Sequence, residues 1–326
     1  MKPLQQIKLV TVTLNPAVDK TVEINDFKAG DVNRISSIRL DAGGKGINVS
    51  KVIKSLNGES IALGILSGKN GEFIRDYLNS LNIENNFVFT KGETRTNLKI
   101  IDSINKKNTD INEPGNIVSI EDLNRLEESI FKVVNKDSIL ILSGSVPEGV
   151  PKDIYAVWIK KAKEQGAKTI LDADGELLKE GVKAGPYLVK PNIHELEKFC
   201  NKKLESMKDI VKASEEFFKY GVERVVVSLG KDGGLFIDKD NVIHAEGIKV
   251  PVKSTVGAGD SMVAALALSI ERNYSLEKAV VLSTAVSAAN VMTSGTEPAE
   301  LKDILELEKK VKFKYIIRKG GRDYED

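Results

Sequence analysis

Apolar residues in this chain fall into short continuous runs that alternate with stretches of helical periodicity. The β-branched run "KLVTVTL" (8–14) has the make-up of a strand buried on both faces. "GGKGINVSKVIKSLNG" (43–58) places Val49, Val52, Ile53 and Leu56 at helical spacing and is stopped by Gly58. The rhythm continues with "ESIALGIL" as a strand, "GEFIRDYLNSLNI" as a helix, and "SIEDLNRLEESIFKVV" (119–134) as an amphipathic helix opened by a Ser-x-x-Asp cap. Further on, "SILILSG", "KTILDAD", "PYLVKPN" and "ERVVVSLG" read as strands, and "PKDIYAVWIKKAKEQG" and "IHELEKFC" as helices. "DGGLFID" and "NVIHAEG" form a hairpin pattern, and helices are expected at 259–272, 275–293 and near 298–310. Strands separated by helices predict an α/β fold: a three-layer α/β/α body around a mostly parallel central sheet.

Two segments break this rhythm. Residues 21–42 and 94–112 alternate polar and apolar side chains, as strands with one wet face do. They predict a small β-sheet lid attached to the body, with 1–326 forming a single domain. The tail "KGGRDYED" reads as a solvated end.

The totals narrow the function. With 48 basic and 47 acidic side chains among 326 residues, the net charge of +1 argues against nucleic acid or a membrane surface as partner. No 18 apolar residues run together, and no signal-peptide pattern opens the chain, so a cytoplasmic location is expected. One cysteine, Cys200, fits a reducing compartment, and with only His194 and His244 beside it no zinc cluster can be assembled.

The chemistry concentrates in glycine-rich stretches. In "STVGAGDSM", Gly257, Ala258 and Gly259 let backbone amides converge at the positive end of a helix, a setting for an anion such as a phosphoryl group in transfer. Asp260 beside them suits a base that takes a proton from a substrate hydroxyl; the plain alternative is a helix cap. In "DAGGKGINVS", Gly43 and Gly44 admit a hydroxyl-rich ligand close to the backbone, and Asn48 can both donate and accept; the alternative is a simple loop. Asp19, in "NPAVD", follows the first strand, at the end where α/β proteins bind ligands. Arg34, Lys45, Arg95 and Lys99 are candidate phosphate contacts or solvated charges. Asn192 and Glu195 are spaced either to hold a hydrated Mg²⁺ or to form a capping box. A dinucleotide fingerprint would need glycine at Met262, Gly46 replaces the Ser or Thr of a Walker loop, and Ser143 precludes a nucleophile elbow around Ser145.

Taken in order, "TLNPAVD", "AGGKGINVSKV", "TRTNLK", "SGSVPEG", "VKPNIHEL", "VVSLGKDGG" and "STVGAGDSM" resemble the ribokinase-like carbohydrate kinases of the PfkB group from about Leu9 to Thr296. The resemblance implies a ribokinase-like body with a β-sheet lid, ATP and Mg²⁺ as co-substrates, and a homodimer built through the lids. It implies ATP-dependent phosphorylation of a ketohexose phosphate. The wording of "AGGKGINV", "TRTNLK" and "TDINEPG" points to fructose 1-phosphate, with tagatose 6-phosphate and fructose 6-phosphate as alternatives and a non-catalytic sugar-phosphate sensor as the reading from another class. By match, Asp260 is the base and Gly257–Gly259 the anion hole. Asp19, Gly43, Gly44, Lys45, Asn48 and Arg95 contact the phosphosugar. Ser228, Gly230, Gly233 and Thr255 lie near the nucleotide, with Lys190, Asn192 and Glu195 near its phosphates and magnesium. No arginine stands between Gly144 and Val150, so other basic side chains must neutralise the phosphate of the sugar.

Overall fold

The computed structural model describes residues 8–318, so the tail read as a solvated end lies outside the described residues. Ten strands form the body sheet: β1 (Lys8–Thr13), β4 (Ser60–Ser67), β5 (Glu84–Thr90), β8 (Ser138–Ser143), β9 (Lys168–Asp172), β10 (Leu188–Val189), β11 (Arg224–Ser228), β12 (Gly234–Asp238), β13 (Asn241–Ala245) and β14 (Phe313–Arg318). Their order is β14-β13-β12-β11-β10-β9-β8-β1-β4-β5. Pairing is parallel from β5 through β11 and antiparallel from β11 to β14.

Alternation along each strand distributes its side chains between two helix layers. Val10, Val12, Leu140 and Leu142 pack with α3 (Ile120–Val133), α4 (Ile154–Glu164), α5 (Gly175–Lys183), α6 (Ile193–Cys200) and α7 (Met207–Phe218). Leu9, Ile139 and Ile141 pack on the other side with α1 (Lys45–Ser55), α8 (Ala258–Glu271), α9 (Leu276–Asn290) and α10 (Leu301–Glu308). A further helix, α2 (Gly68–Ser80), packs through Ile74 and Leu78 on Ala62 and Leu66 of β4. These are the three layers that the alternating pattern predicts. The Ser119 hydroxyl accepts from the amide of Asp122, as the capping spacing requires.

The lid is a separate four-stranded sheet in the order β3-β2-β6-β7, made of β2 (Ala17–Ile24), β3 (Ile35–Gly43), β6 (Thr96–Asp102) and β7 (Lys107–Asn112). Its first strand begins four residues before the expected 21, because Ala17 and Val18 already pair with Gly43 and Ala42. A turn held by Asp102, whose carboxylate accepts from the amides of Asp26, Phe27, Ile104 and Asn105, joins the far ends of the strands.

Four elements go beyond those read from the sequence. Strand β5, "ENNFVFT", sits at the sheet edge and mixes polar with aromatic residues; β14 lies at the opposite edge, with most of its side chains exposed. Neither is a continuous apolar run, because an edge strand is only half covered. Helices α5 and α7 were likewise not foreseen, although both turn an apolar stripe to the core.

Trp158 of α4 is fully buried, with its indole N–H donating to Glu127 of α3 at 2.9 Å. Trp158→Ala should therefore lower unfolding free energy by about 3–5 kcal/mol, the usual cost of so large a core deletion, measured by urea denaturation followed by circular dichroism.

Candidate active site

A cavity of about 630 Å³ opens between the body and the lid, over the carboxyl ends of β1, β8, β9 and β10. That is where an open parallel sheet presents loops and helix N-termini to a ligand. Its floor is set by two glycine turns. Gly44, at φ +121°, caps α1, and a Cβ there would press on Thr13 and Pro16. Gly257, at φ +80°, caps α8 in the left-handed region that glycine adopts without strain. The first turns of α1 and α8 thus meet at the cavity.

Asp260, in the first turn of α8, lines this cavity and is only 6% exposed. The Asn48 amide of α1 donates to its Oδ2 at 2.8 Å, while the Asn48 carbonyl oxygen has no protein partner. Burial raises the Asp260 pKa, and Asp172 adds to this against Lys45, Asn48 and Lys190. A carboxylate made more basic, beside a helix end with Gly257 and Gly259 open to the cavity, is equipped to accept a proton where an anion is stabilised.

Beside it, one buried carboxylate serves two ammonium groups. Asp172 Oδ1 lies 3.3 Å from both Lys45 Nζ and Lys190 Nζ, and Asp172 Oδ2 has no partner. Burial opposes the Asp172 charge, but Lys190 and Lys45 outweigh it and hold the carboxyl below its ordinary range. Burial likewise opposes the charge of Lys45, and the fields of Asp172, Asp260 and Glu195 overcome it and raise its pKa. Lys45 therefore keeps its charge at this end of the cavity.

The lid supplies the opposite wall. The Asp19 carboxylate accepts from the Asn97 amide at 3.0 Å, and burial pushes its pKa up. Gly43 does not itself line the cavity; a Cβ there would collide with the Asp19 carboxylate, so the glycine gives that side chain its place. Arg95 lines the cavity, yet its guanidinium donates to the carbonyls of Pro16, Glu113 and Asn15 at 3.0–3.3 Å. Three of its five N–H groups are thereby spent on backbone. Arg34 is exposed on the lid and away from the cavity.

Asn192 and Glu195 form a reciprocal capping box at the start of α6, each side chain accepting from the other's amide, and both also line the cavity. Ser228 and Lys190 line it too, Ser228 through a bridge to Asn192. Gly230, Gly233, Thr255 and Ala258 do not. Gly230 and Gly233 shape the turn between β11 and β12, where a Cβ on Gly233 would strike Ala245 and Gly247. Thr255 is exposed just ahead of Gly257.

Asp172, Asp41 and Lys51 belong to this neighbourhood and were not singled out from sequence. Asp172 ends a buried strand, a position that marks ligand contacts in parallel sheets. Lys51 lies three residues after Asn48 on α1, so the same helix face carries it. It is buried, donates to the Ala42 carbonyl at 2.7 Å and the Thr296 hydroxyl at 3.0 Å, and burial lowers its pKa to about 8.

Comparison with known proteins bears on this arrangement. A family model described as pfkB family carbohydrate kinase matches residues 12–303. The 1-phosphofructokinase of Borreliella burgdorferi is 35% identical over 285 residues, covering 87% of this chain and 92% of that protein. The 1-phosphofructokinase of Bacillus subtilis is 36% identical over 291 residues, covering 89% and 95%. Among solved structures, phosphofructokinase-2 from Escherichia coli in complex with substrates and products superposes with a TM-score of 0.89 at 32% identity, covering 93% of this chain and 99% of that one.

Asp172→Ala should destabilise the protein by about 3–5 kcal/mol near neutral pH, because the buried Lys190 and, to a lesser degree, the partly exposed Lys45 lose their counter-charge. Its folded pKa is depressed, so its contribution is present above the unfolded carboxyl pKa and is lost as pH falls through the lower folded value. Urea denaturation across pH should show this acid loss in the parent and not in the variant.

Proposed function

The chain belongs to the pfkB family of carbohydrate kinases, and from that premise we propose that it transfers the γ-phosphoryl group of ATP to fructose 1-phosphate, giving fructose 1,6-bisphosphate. The observation that carries this reading is Asp260: a buried carboxylate of raised pKa, open to the cavity in the first turn of α8 and oriented by Asn48. The names of the relatives from Borreliella burgdorferi and Bacillus subtilis support the choice of sugar phosphate.

The sugar phosphate lies between the Gly44–Asn48 turn and the lid, with its free primary hydroxyl at Asp260. Asp260 takes the hydroxyl proton as the oxygen attacks the γ-phosphorus in line, and the bond to the leaving ADP oxygen breaks. The amides of Gly257, Ala258 and Gly259, with the ammonium groups of Lys45 and Lys190, stabilise the charge spread over the transferring group. Asp19 and Asn48 hold sugar hydroxyls; Gly43 acts through Asp19. Arg95 fixes the backbone at Asn15 and Pro16 and offers its remaining N–H groups to the ligand. The nucleotide follows the groove past Ser228 towards Gly230, Gly233 and Thr255.

Among the described residues no three His, Cys, Asp or Glu side chains gather as metal ligands. The residues therefore fit Mg²⁺ carried mainly by nucleotide phosphates and water, as this hard cation commonly is, rather than a protein cage. Glu195, with one carboxylate oxygen outside the capping box, and the Asn192 side chain would hold it. Bound there, it would neutralise phosphate charge.

We read residues 1–326 as one kinase domain working in the cytoplasm, in keeping with a single cysteine and with no described helix long and apolar enough to cross a membrane. The homodimer would form through the lids. On β3, Ile38 pairs with Val22 and Leu40 with Lys20, so alternation puts both on the face opposite Asp19 and Thr21, where they are 57% and 46% exposed. A second copy of that face would cover them. Ile38→Lys with Leu40→Lys should halve the mass seen by sedimentation; an unchanged mass would remove the lid from the interface.

Mixing the protein with ATP and fructose 1-phosphate should release ADP, at higher kcat/KM than with fructose 6-phosphate or tagatose 6-phosphate. Absence of ADP with all three would leave a binding protein instead. Asp260→Asn should lower kcat by about 10²–10⁴-fold with little change in KM for ATP. The acid limb of the parent's kcat profile should lie above the ordinary carboxylate range, since a base with a raised pKa loses its free form early as pH falls. Turnover of the variant within tenfold of the parent would overturn the role of Asp260.

A further inference from the structure

Resting on that reading of the site, we propose that Lys99 anchors the phosphate group that the sugar already carries. A ketohexose phosphate brings its reacting hydroxyl and its resident phosphate to opposite ends of one small molecule. With the hydroxyl at Asp260, the resident phosphate faces the lid.

Four basic side chains line the cavity: Lys45, Lys190, Arg95 and Lys99. Lys45 and Lys190 share Asp172 on the body side, beside Asp260 and Glu195, where the nucleotide phosphates need them. Arg95 gives three N–H groups to backbone carbonyls. Lys99 alone of the four makes no ion pair and no side-chain hydrogen bond among the described residues.

Its placement suits the task. Lys99 follows Asn97 by two residues on β6, so both point from the same face of the lid, and Asn97 already contacts Asp19. In register, Lys99 lies between Thr21 of β2 and Asp110 of β7, and both of these line the cavity as well. The Thr21 hydroxyl can donate a second hydrogen bond to a phosphate oxygen. Asp110 would repel a phosphate approaching from its own side, which directs the anion onto Lys99. Lys99 is half-buried, so a pairing there escapes much of the screening that weakens surface charges.

Lys99→Met removes the charge and keeps the length of the stem. It should raise KM for fructose 1-phosphate about 10–100-fold, as loss of a charged hydrogen bond does, with kcat within about threefold and KM for ATP within twofold. Turnover measured with unphosphorylated fructose should not change, so the preference for the phosphorylated sugar should shrink by the same factor. Lys99→Arg should recover most of the loss. A KM for fructose 1-phosphate within twofold of the parent in Lys99→Met would overturn the assignment, as would an equal loss for fructose itself. Calorimetric titration of fructose 1-phosphate without ATP separates the two readings. Weaker binding by Lys99→Met in a chain whose parent releases no ADP keeps the anchor and rejects the kinase. Equal binding by parent and variant rejects the anchor whatever the activity.

Discussion

One buried carboxylate between two lysines governs how this site is put together. Asp172 ends β9, Lys190 follows β10, and Lys45 opens α1, so a single charge cluster ties two strand ends to the helix across from them. Two ammonium groups gather around one carboxylate, with Asp260 and Glu195 close by, where parallel strands stop. Taking such charges out of water is costly, and the cluster persists because each lysine finds its counter-charge within 3.3 Å. An anionic ligand entering this end of the cavity meets cations already held in place, which lowers the reorganisation required during reaction.

The same economy appears at Asp260. Its burial would be unfavourable for a structural carboxylate, and one hydrogen bond from Asn48 offsets part of that cost. What remains is a more basic group facing the cavity. A helix cap alone would not need this: Ser119, Ser206 and Ser275 cap other helices with ordinary hydroxyl contacts at partly or fully exposed positions. The helix mouth at Gly257 is capped by no side chain, which leaves its amides directed at the cavity.

Much of the fold was readable because its central strands are continuous apolar runs and its helices carry explicit stops and caps. The edges were not, since β5 and β14 are half covered and their composition follows their exposure. In the site, Asp260, Asn48, Asp19 and Lys45 could be named from glycine-rich turns and strand ends. Asp172 could not be weighed without knowing that β9 lies between β8 and β10, which depends on the order of strands in space. Arg95 shows the opposite limit. A guanidinium in a lid segment reads as a phosphate grip, but the carbonyls of Asn15, Pro16 and Glu113 claim most of its donors, and only the folded turn reveals that need. Asn192 and Glu195 form the capping box that was one of the two alternatives open in the sequence, and both also line the cavity.

The lid strand β3 ends at Gly43 and helix α1 begins at Lys45, leaving Gly44 as the only residue between them. A rigid sheet and a rigid helix joined through one residue behave as a crank with a single pivot. Any tilt of the sheet that this pivot does not absorb rotates α1, and with it the amide of Asn48 that steers the Asp260 carboxylate. Lys51, clasping Ala42 on one side and Thr296 on the other, stiffens that crank. Tilt of the lid sheet and the hold of Asn48 on the Asp260 carboxylate are therefore coupled through one residue.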